Sequence, residues 1–312
     1  MSNTLEFRNI RKDAAGSDVL PAPKNVTAKP EDNAVFDRFV WSVDKLKEHL
    51  QNVVVLDART EKEYNKEHLP GAVQAHWTSW SNVAVPQDCG SWAIIFDNEK
   101  LAALFAALGI DGKKPVVIYN DPLEGWGEEG RQLWTLRVAG ITDSYILNGG
   151  LSAWKAKGYP VTDKPGTPDA VVPPVLSRNE NLFASTEYIV KNFDKISLLD
   201  VREDEEYAGT KTYGEKKTGR IPGVKHYWFK DFYHTDGTLY TPAEVRAVVE
   251  QKGLDTSKEI VTYCTGGIRS GFAAIMLKIA GYENVRNYNG SFSAWTGTGQ
   301  KIDNEIYDKE PA

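Results

Sequence analysis

The sequence predicts an α/β protein made of two tandem copies of one domain, each a parallel sheet flanked by helices. Three observations lead to this prediction. The 312 residues exceed what one hydrophobic core usually serves. Several motifs occur twice, in the same order. Within each copy, short apolar runs alternate with segments of helical periodicity, which is the pattern of a parallel sheet covered on both faces.

The repeat is seen when the two halves of the chain are compared. Val53–Arg59 ends in Leu-Asp-Ala-Arg, and Ile196–Arg202 ends in Leu-Asp-Val-Arg. Three pairs of equivalent positions share nearly one offset: Asp57 and Asp200 (143 residues), Asn120 and Cys264 (144), and Trp154 and Trp295 (141). A repeat of this length indicates duplicated domains, because the units of a solenoid span about 20–50 residues.

The repeat and a proline-rich segment define the expected domain boundaries. Five prolines within residues 160–174 follow no helical or strand period, which is typical of a semi-stiff linker. The expected parts are an N-terminal arm (1–35), a first domain (36–160), a linker (161–182), a second domain (183–300) and a C-terminal tail (301–312).

The first copy alternates strands with helices. Residues 53–56, 115–119 and 144–147 have the apolar, β-branched or aromatic character of buried parallel strands. Between the first two strands, the apolar residues of 101–108 fall at helical spacing, and Gly109 can end that helix.

The second copy follows the same scheme. Thr241–Glu244 is a capping box with proline in the first turn, and it predicts a helix that Gly253 ends. The strand 259–263 comes next and leads directly into Cys264. The run Phe272–Ile279 then has helical apolar spacing, so we expect the cysteine between a strand end and a helix N-terminus. Ligands of open α/β sheets bind at this end of the strands.

Composition and charge exclude several classes of function. A net charge of −6 gives no overall attraction to nucleic acid, and no apolar run approaches the ~20 residues that span a bilayer. Two cysteines are too few for a disulfide framework or a structural zinc site, and the five histidines show no metal-ligand spacing. Residues 1–30 lack the apolar stretch of a signal peptide. We expect a cytoplasmic protein that needs no metal or cofactor and binds neither nucleic acid nor membranes.

The loop that begins at Cys264 has the properties of an anion site. A helix N-terminus carries a partial positive charge and free N–H groups, which lower the pKa of a cysteine. The two glycines allow successive N–H groups to point inward, and the arginine adds a fixed cation. We expect Cys264 to be a nucleophile whose thiolate or persulfide is held by Thr265, Gly266, Gly267, Ile268 and Arg269.

Each of these residues also has a purely structural interpretation. A lone cysteine is more often a small buried hydrophobic residue, but such a cysteine does not need two glycines and an arginine after it. Cys89 lies beside an acid without a basic loop, so we expect no function for it. Arg269 could bind the anion, or it could pair with a carboxylate and brace the loop.

Taken together and in order, these motifs resemble those of the rhodanese family. The resemblance rests on the Leu-Asp-x-Arg strand ends, the segment Ile221–Val224, the loop from Cys264 to Arg269, and the Asn-Gly-x-x-x-Ala-Trp endings. It covers about residues 38–160 and 183–300. Two such domains in tandem resemble the thiosulfate and 3-mercaptopyruvate sulfurtransferases of that family.

The resemblance implies one active site per chain, in the second copy. Alignment of residues 116–120 with 260–264 places Asn120 at the cysteine position of the first copy, and an amide cannot accept sulfur. The implied mechanism is ping-pong: Cys264 takes the outer sulfur of a donor such as thiosulfate as a persulfide, and cyanide or a thiol removes it. The loops of the first copy would then wall the cleft, with three candidates for that wall, Trp77, Trp80 and Trp126.

Two departures from the family pattern bear on the donor. The Cys-Thr-Gly-Gly-Ile-Arg loop matches neither the mercaptopyruvate enzymes nor the vertebrate-type thiosulfate enzymes. Glu206 stands four residues after Arg202, where the two-domain enzymes carry a substrate-binding arginine. We therefore expect thiosulfate, or a protein persulfide partner, as donor. Arg269 and Arg220 are the candidate anion ligands, and Arg202 and Asp200 are candidates to support the loop.

Three alternatives stay open at this point. One is a 3-mercaptopyruvate sulfurtransferase. A second is a non-enzymatic persulfide carrier or sensor that delivers sulfur to a partner protein, since the same loop would serve it. A third is a rhodanese-fold phosphatase, but those enzymes place five residues between cysteine and arginine. Four residues separate Cys264 from Arg269, and the shorter loop suits one sulfur atom better than a phosphate.

Overall fold

The structure, a computed structural model, describes residues 22–24 and 26–304. Two five-stranded sheets carry the fold, and every strand pair in them is parallel. The first sheet has the order β1-β5-β4-β2-β3 and consists of β1 (Val40–Trp41), β2 (Val54–Asp57), β3 (Val73–Gln74), β4 (Val116–Tyr119) and β5 (Ser144–Leu147). The second sheet has the equivalent order β6-β10-β9-β7-β8 and consists of β6 (Phe183–Ala184), β7 (Ile196–Asp200), β8 (Lys225–His226), β9 (Glu259–Tyr263) and β10 (Val285–Tyr288). The identical strand order confirms the predicted fold class.

Helices flank both sheets. The helices of the first half are α1 (Asp32–Asp37), α2 (Val43–His49), α3 (Glu61–Lys66), α4 (Asn98–Ala107), α5 (Glu128–Ala139) and α6 (Gly150–Ala156). Those of the second half are α7 (Thr186–Asn192), α8 (Asp204–Ala208), α9 (Pro242–Gln251), α10 (Ile268–Ile279) and α11 (Ser291–Gly297). Each helix of the described residues is too short or too polar to cross a bilayer.

The elements that position the cysteine loop are those that the sequence indicates. The strand before Cys264 is β9, which has the predicted bounds 259–263. The capping box at the start of α9 is present, with the Thr241 hydroxyl accepting from the N–H of Glu244 and the Glu244 carboxylate accepting in return. The long apolar helix after the loop is α10.

The two copies share one hydrophobic core through the contact of α5 with α10. The helices approach so closely that a Cβ on Gly130 would lie 2.5 Å from the backbone of Phe272, so glycine is required there. Each of these helices follows the central strand of its own sheet, β4 or β9. The loops that begin at Asn120 and Cys264 are therefore brought to the same interface.

Parts of the expected arm and linker are held against the domains. Asp32 forms an ion pair with Arg246 of the second copy at 2.7 Å, and the backbone of Thr162 pairs with that of His68. The expected arm residues 1–21 and 25, and the tail residues 305–312, lie outside the described residues.

Candidate active site

Cys264 lies at the carboxyl end of β9, directly before α10. The residue is 1% exposed. The backbone N–H of Gly267 donates to its Sγ at 3.1 Å, and the Ser270 hydroxyl lies 3.5 Å from the same sulfur. Gly267 has a φ of +88°, which residues with a Cβ rarely adopt, so glycine allows the chain to turn into the helix here. The sulfur thus lies among N–H donors at a helix N-terminus, a geometry that stabilises an anion.

The protonation state of Cys264 follows from opposing effects. Burial raises the pKa of the thiol, whereas the Arg269 cation and hydrogen bonds from Ser270 and from the N–H of Gly266 lower it. The lowering effects prevail, so the pKa lies below its ordinary value of 9.0. A larger share of this thiol is ionised at neutral pH than in an unperturbed cysteine, which makes it the better nucleophile.

Arg269 is bound by a buried carboxylate. Its two Nη atoms donate to the Glu206 carboxylate at 2.5 and 2.8 Å, and both residues are almost fully buried. The guanidinium also lies 5.2 Å from the ring of Trp126 and 5.7 Å from that of Tyr213. Arg269 therefore lines the site, but its charge is largely compensated by Glu206. Of the two roles that the sequence leaves open, these contacts are those of a brace.

Thr265 joins the loop to the same carboxylate network. Its hydroxyl accepts from Arg269 at 2.8 Å and lies 2.8 Å from Glu206 and 2.7 Å from Glu215. A hydroxyl has one proton to donate, so it serves one of the two carboxylates at a time. The segment that carries Glu215 is thereby tied to the cysteine loop.

Asp200 and Arg202 form a second buried brace below the loop. The guanidinium donates to Asp200 at 2.7 Å and to the carbonyl of Gly219 at 2.8 Å, while the Tyr263 hydroxyl donates to Asp200 at 2.7 Å. Neither Asp200 nor Arg202 lines the cavity beside Cys264.

The first copy repeats this brace at the equivalent positions. Arg59 donates to Asp57 at 2.6 Å, and the Tyr119 hydroxyl donates to Asp57 at 2.6 Å. Because the first copy keeps the same contacts although Asn120 replaces the loop cysteine, they serve the fold of each domain rather than sulfur chemistry.

Arg220 lies away from the cysteine cavity. Its guanidinium is 4.6 Å from the ring of Tyr207, and its backbone pairs with that of Asp303. These contacts connect the second domain to the start of the C-terminal tail. They do not place Arg220 beside the sulfur, where an anion ligand would stand.

A cavity of about 300 Å³ opens over Cys264 and is lined by both copies. The residues of its wall are Thr60, His76, Trp77, Trp92, Trp126, Glu128, Tyr213, Cys264, Thr265, Gly266, Ile268 and Arg269. Trp92 lies directly on the loop, since a Cβ on Gly266 would be 2.3 Å from its ring. Trp126 and Tyr213 are 39% and 38% exposed and contact each other edge to face, so they form a rim. The sulfur is therefore reached through a mouth with aromatic walls.

The tryptophans proposed as cleft walls divide into two groups. Trp77 and Trp126 line the cavity. Trp80 is instead 1% exposed and packs edge to face on Phe105 in the core. Trp77 and Trp80 belong to the same short 3-10 turn, and the sequence does not show which of them packs into the core.

Glu128 gives the cavity a buried carboxyl group from the first copy. It accepts from the side-chain amide of Asn120 and from the backbone N–H of Trp126, each at 2.6 Å. Burial and then the neighbouring Glu129 raise its pKa to about 7. Glu129 in turn accepts from the Tyr233 hydroxyl at 2.5 Å. Asn120, at the position equivalent to Cys264, thus has a structural role, because its amide binds both of these acidic side chains.

Several residues of the cavity wall are not predicted from the sequence, among them Trp92, Tyr213 and Glu128. The position of Tyr213 in the wall could have been predicted from a difference in length between the two copies. Arg220 comes 14 positions after Glu206, whereas the equivalent His68 comes five positions after Glu63 in the first copy. This insertion beside the cysteine loop carries Tyr213 into the cavity wall.

Fold and site together define a class of protein: a duplicated α/β chain with a buried cysteine loop in the second copy and an asparagine, Asn120, at the equivalent position of the first. The family model for the rhodanese-like domain matches residues 42–157 and 185–298. The chain belongs to the rhodanese family and carries two rhodanese-like domains in tandem.

Curated relatives cover most of the chain. The sulfur carrier protein TtuD of Thermus thermophilus is 30% identical over 271 residues, which are 81% of this chain and 92% of that one. A thiosulfate sulfurtransferase of Pseudomonas aeruginosa is 31% identical over 247 residues, 78% of this chain and 88% of that one. The thiosulfate sulfurtransferase of Bos taurus is 29% identical over 242 residues, 75% and 79% of the two chains. These relatives support a sulfurtransferase activity in general.

Solved structures share the fold at lower identity. Wild-type EanB has a TM-score of 0.77 at 18% identity, covering 86% of this chain and 69% of that one. YnjE has a TM-score of 0.73 at 21% identity, covering 86% and 68%.

Proposed function

We propose that the protein is a thiosulfate sulfurtransferase that works through a persulfide on Cys264. The thiolate attacks the outer sulfur of thiosulfate, the sulfur–sulfur bond of the donor breaks, and sulfite leaves with the electron pair. A nucleophilic acceptor, cyanide or a thiol, then attacks the terminal sulfur. The bond to Sγ breaks, and the Cys264 thiolate is restored.

One observation carries this proposal: the sulfur of Cys264 lies in a buried loop of N–H donors at the start of a 12-residue helix. These donors stabilise the thiolate and the negative charge of the persulfide without a metal ion. The cavity above the sulfur has room for a small donor, and the partly exposed Trp126 and Tyr213 line it.

The surroundings of Arg269 favour thiosulfate over 3-mercaptopyruvate. The carboxylate of mercaptopyruvate needs a cation of its own, and Glu206 stands where related two-domain enzymes are expected to carry an arginine. Here that carboxylate already binds Arg269 through two hydrogen bonds. The four-residue spacing between Cys264 and Arg269 argues against a phosphatase, because a loop of this length suits one sulfur atom better than a phosphate.

A persulfide carrier is the second candidate. It is favoured by the similarity to a sulfur carrier protein and by the two exposed aromatic side chains at the mouth, Trp126 and Tyr213. In this role a partner protein would supply or receive the sulfur.

A comparison of two donors tests the proposal. With cyanide as acceptor, we expect kcat/KM for thiosulfate to exceed that for 3-mercaptopyruvate by about tenfold or more. A missing charged hydrogen bond is worth about 1.5–3 kcal/mol, and each 1.4 kcal/mol is a factor of ten. Thiocyanate formation measures the first reaction, and pyruvate release measures the second.

The outcomes separate the candidates. A preference for mercaptopyruvate would contradict the inference from Glu206. A persulfide on Cys264 without thiocyanate from either donor would favour the carrier. Turnover of a chromogenic phosphate ester, with none of thiosulfate, would favour the phosphatase.

A further inference from the structure

Arg131 is a buried guanidinium from the first copy that reaches the cysteine loop of the second. It is 0% exposed, and its Nε is buried without a hydrogen-bond partner. One Nη donates to the carbonyl of Gly267 at 3.0 Å. The other donates to the carbonyl of Ala93 at 2.7 Å and to the Ser81 hydroxyl at 3.2 Å. All of these acceptors are neutral.

No carboxylate of the described residues forms an ion pair with Arg131. The two acidic residues that precede it on α5 are engaged elsewhere. Glu128 binds Asn120, and Glu129 binds Tyr233. A buried cation is costly in free energy unless an anion compensates it, so we expect an anion close to Arg131.

The Cys264 thiolate is the anion whose charge acts on Arg131. Burial lowers the pKa of Arg131 to about 9, and the negative charge of Cys264 opposes that effect. The two side chains are also connected through a single residue, Gly267. Its N–H donates to Sγ of Cys264, and its carbonyl accepts from Arg131 and Asn287.

None of the other described titratable groups around the sulfur is a cation with an uncompensated charge. These groups are Arg269, Glu206, Glu215, Glu128, His76 and Tyr213. Arg269 is paired with Glu206. Burial lowers the pKa of His76, so this ring is neutral at pH 7. Around the cysteine loop, within the part of the chain that the structure describes, Arg131 is the cation that no carboxylate compensates.

We propose that Arg131 is a positioning residue of the sulfur-transfer site, supplied by the copy that has Asn120 at the position of the nucleophile. Its guanidinium holds Gly267 against Sγ and stabilises the thiolate and the persulfide anion. This inference rests on the proposed function of Cys264 and gives the first copy an electrostatic role besides its part in the cavity wall.

The test replaces Arg131 by Met and by Lys in a Cys89→Ser background, which leaves Cys264 as the one thiol. The rate of alkylation by iodoacetamide is measured against pH, and its midpoint gives the thiol pKa. With Arg131→Met we expect the pKa to rise by about one unit or more, and alkylation at neutral pH to slow about tenfold. With Arg131→Lys, which keeps the charge, we expect a value between Met and wild type.

Arg137 provides a matched control on the same helix. It too donates to two carbonyls, those of Arg38 and Ser144, each at 2.7 Å, and has a buried, unpartnered Nε. Burial lowers its pKa to about 10. Neither of its two acceptors belongs to the cysteine loop. Arg137→Met should lower stability while leaving the Cys264 pKa unchanged.

A second variant covers the case in which Arg131→Met does not fold. Ser81→Asp places a carboxylate beside the Nη of Arg131, neutralises its charge and should also raise the thiol pKa. An unchanged pKa in the folded variants, or an equal shift in Arg137→Met, would overturn the proposal. Alkylation does not require sulfur transfer. The effect of Arg131 on the Cys264 pKa can therefore be measured even if the wild type does not react with thiosulfate.

Discussion

Replacement of Cys264 by serine is expected to remove sulfur transfer from thiosulfate to cyanide, with a loss of more than about 10⁴-fold in kcat. A serine hydroxyl stays protonated in the same N–H cradle and cannot form a persulfide, so the covalent route is lost. Serine is close to cysteine in size, and the site is 1% exposed, so the fold should persist. Thiocyanate formation at matched protein concentration measures the effect.

Cys89→Ser is the matched control for this experiment. Cys89 is exposed, and its thiol contacts the Ser91 hydroxyl at 3.2 Å rather than the cavity. We expect wild-type kinetics from this variant. Activity retained in Cys264→Ser, or lost in Cys89→Ser, would show that sulfur transfer does not pass through Cys264.

The second large effect concerns stability. Asp200→Asn is expected to lower the free energy of unfolding by about 3–5 kcal/mol, because Arg202 would stay buried with its charge uncompensated. Asp57→Asn should cost a similar amount through Arg59, although that copy has Asn120 at the position of Cys264. Denaturant unfolding measures both, and Asp44→Asn, at an exposed pair with Lys157, should have a much smaller effect.

The effect of Asp200 should depend on pH with a definite sign. Burial raises the pKa of its carboxyl group, but Arg202 and the hydrogen bond from Tyr263 prevail, so the folded pKa lies below the ordinary value. Its stabilisation is therefore fully present above the unfolded pKa of about 3.9 and is lost as the pH falls through the folded pKa. The difference between wild type and Asp200→Asn should be full at pH 7 and should shrink in acid.

A stability difference that is absent at pH 7 would contradict the role assigned to this buried pair. If Asp57→Asn were harmless while Asp200→Asn were severe, the brace would belong to the catalytic copy alone. The similar geometry at Arg59 and Arg202 leads us to expect the opposite.

The fold could be predicted from the sequence because the patterns that indicate it are local and occur twice. Alternating strands and helices, and the near-constant offset between Asp57 and Asp200, specify duplicated parallel sheets without any knowledge of packing. The position of Cys264 follows from the same signals, since β9 ends directly before it and α10 begins soon after.

The contacts of Arg269 and Arg131 could not be predicted from the sequence, because they depend on tertiary packing. Glu206 lies 63 residues before Arg269, and Arg131 belongs to the other copy. Whether an arginine meets an anion in the cavity or a buried carboxylate depends on how these segments pack. The same holds for Trp92, which contacts the loop only because the two copies are joined through α5 and α10.

The most direct measurement is the mass of the protein after incubation with thiosulfate and removal of the excess. We expect a gain of one sulfur atom per chain, located on the peptide that contains Cys264, and lost again when cyanide is added with release of thiocyanate. No gain in mass, or a gain located on Cys89, would contradict a persulfide mechanism at Cys264.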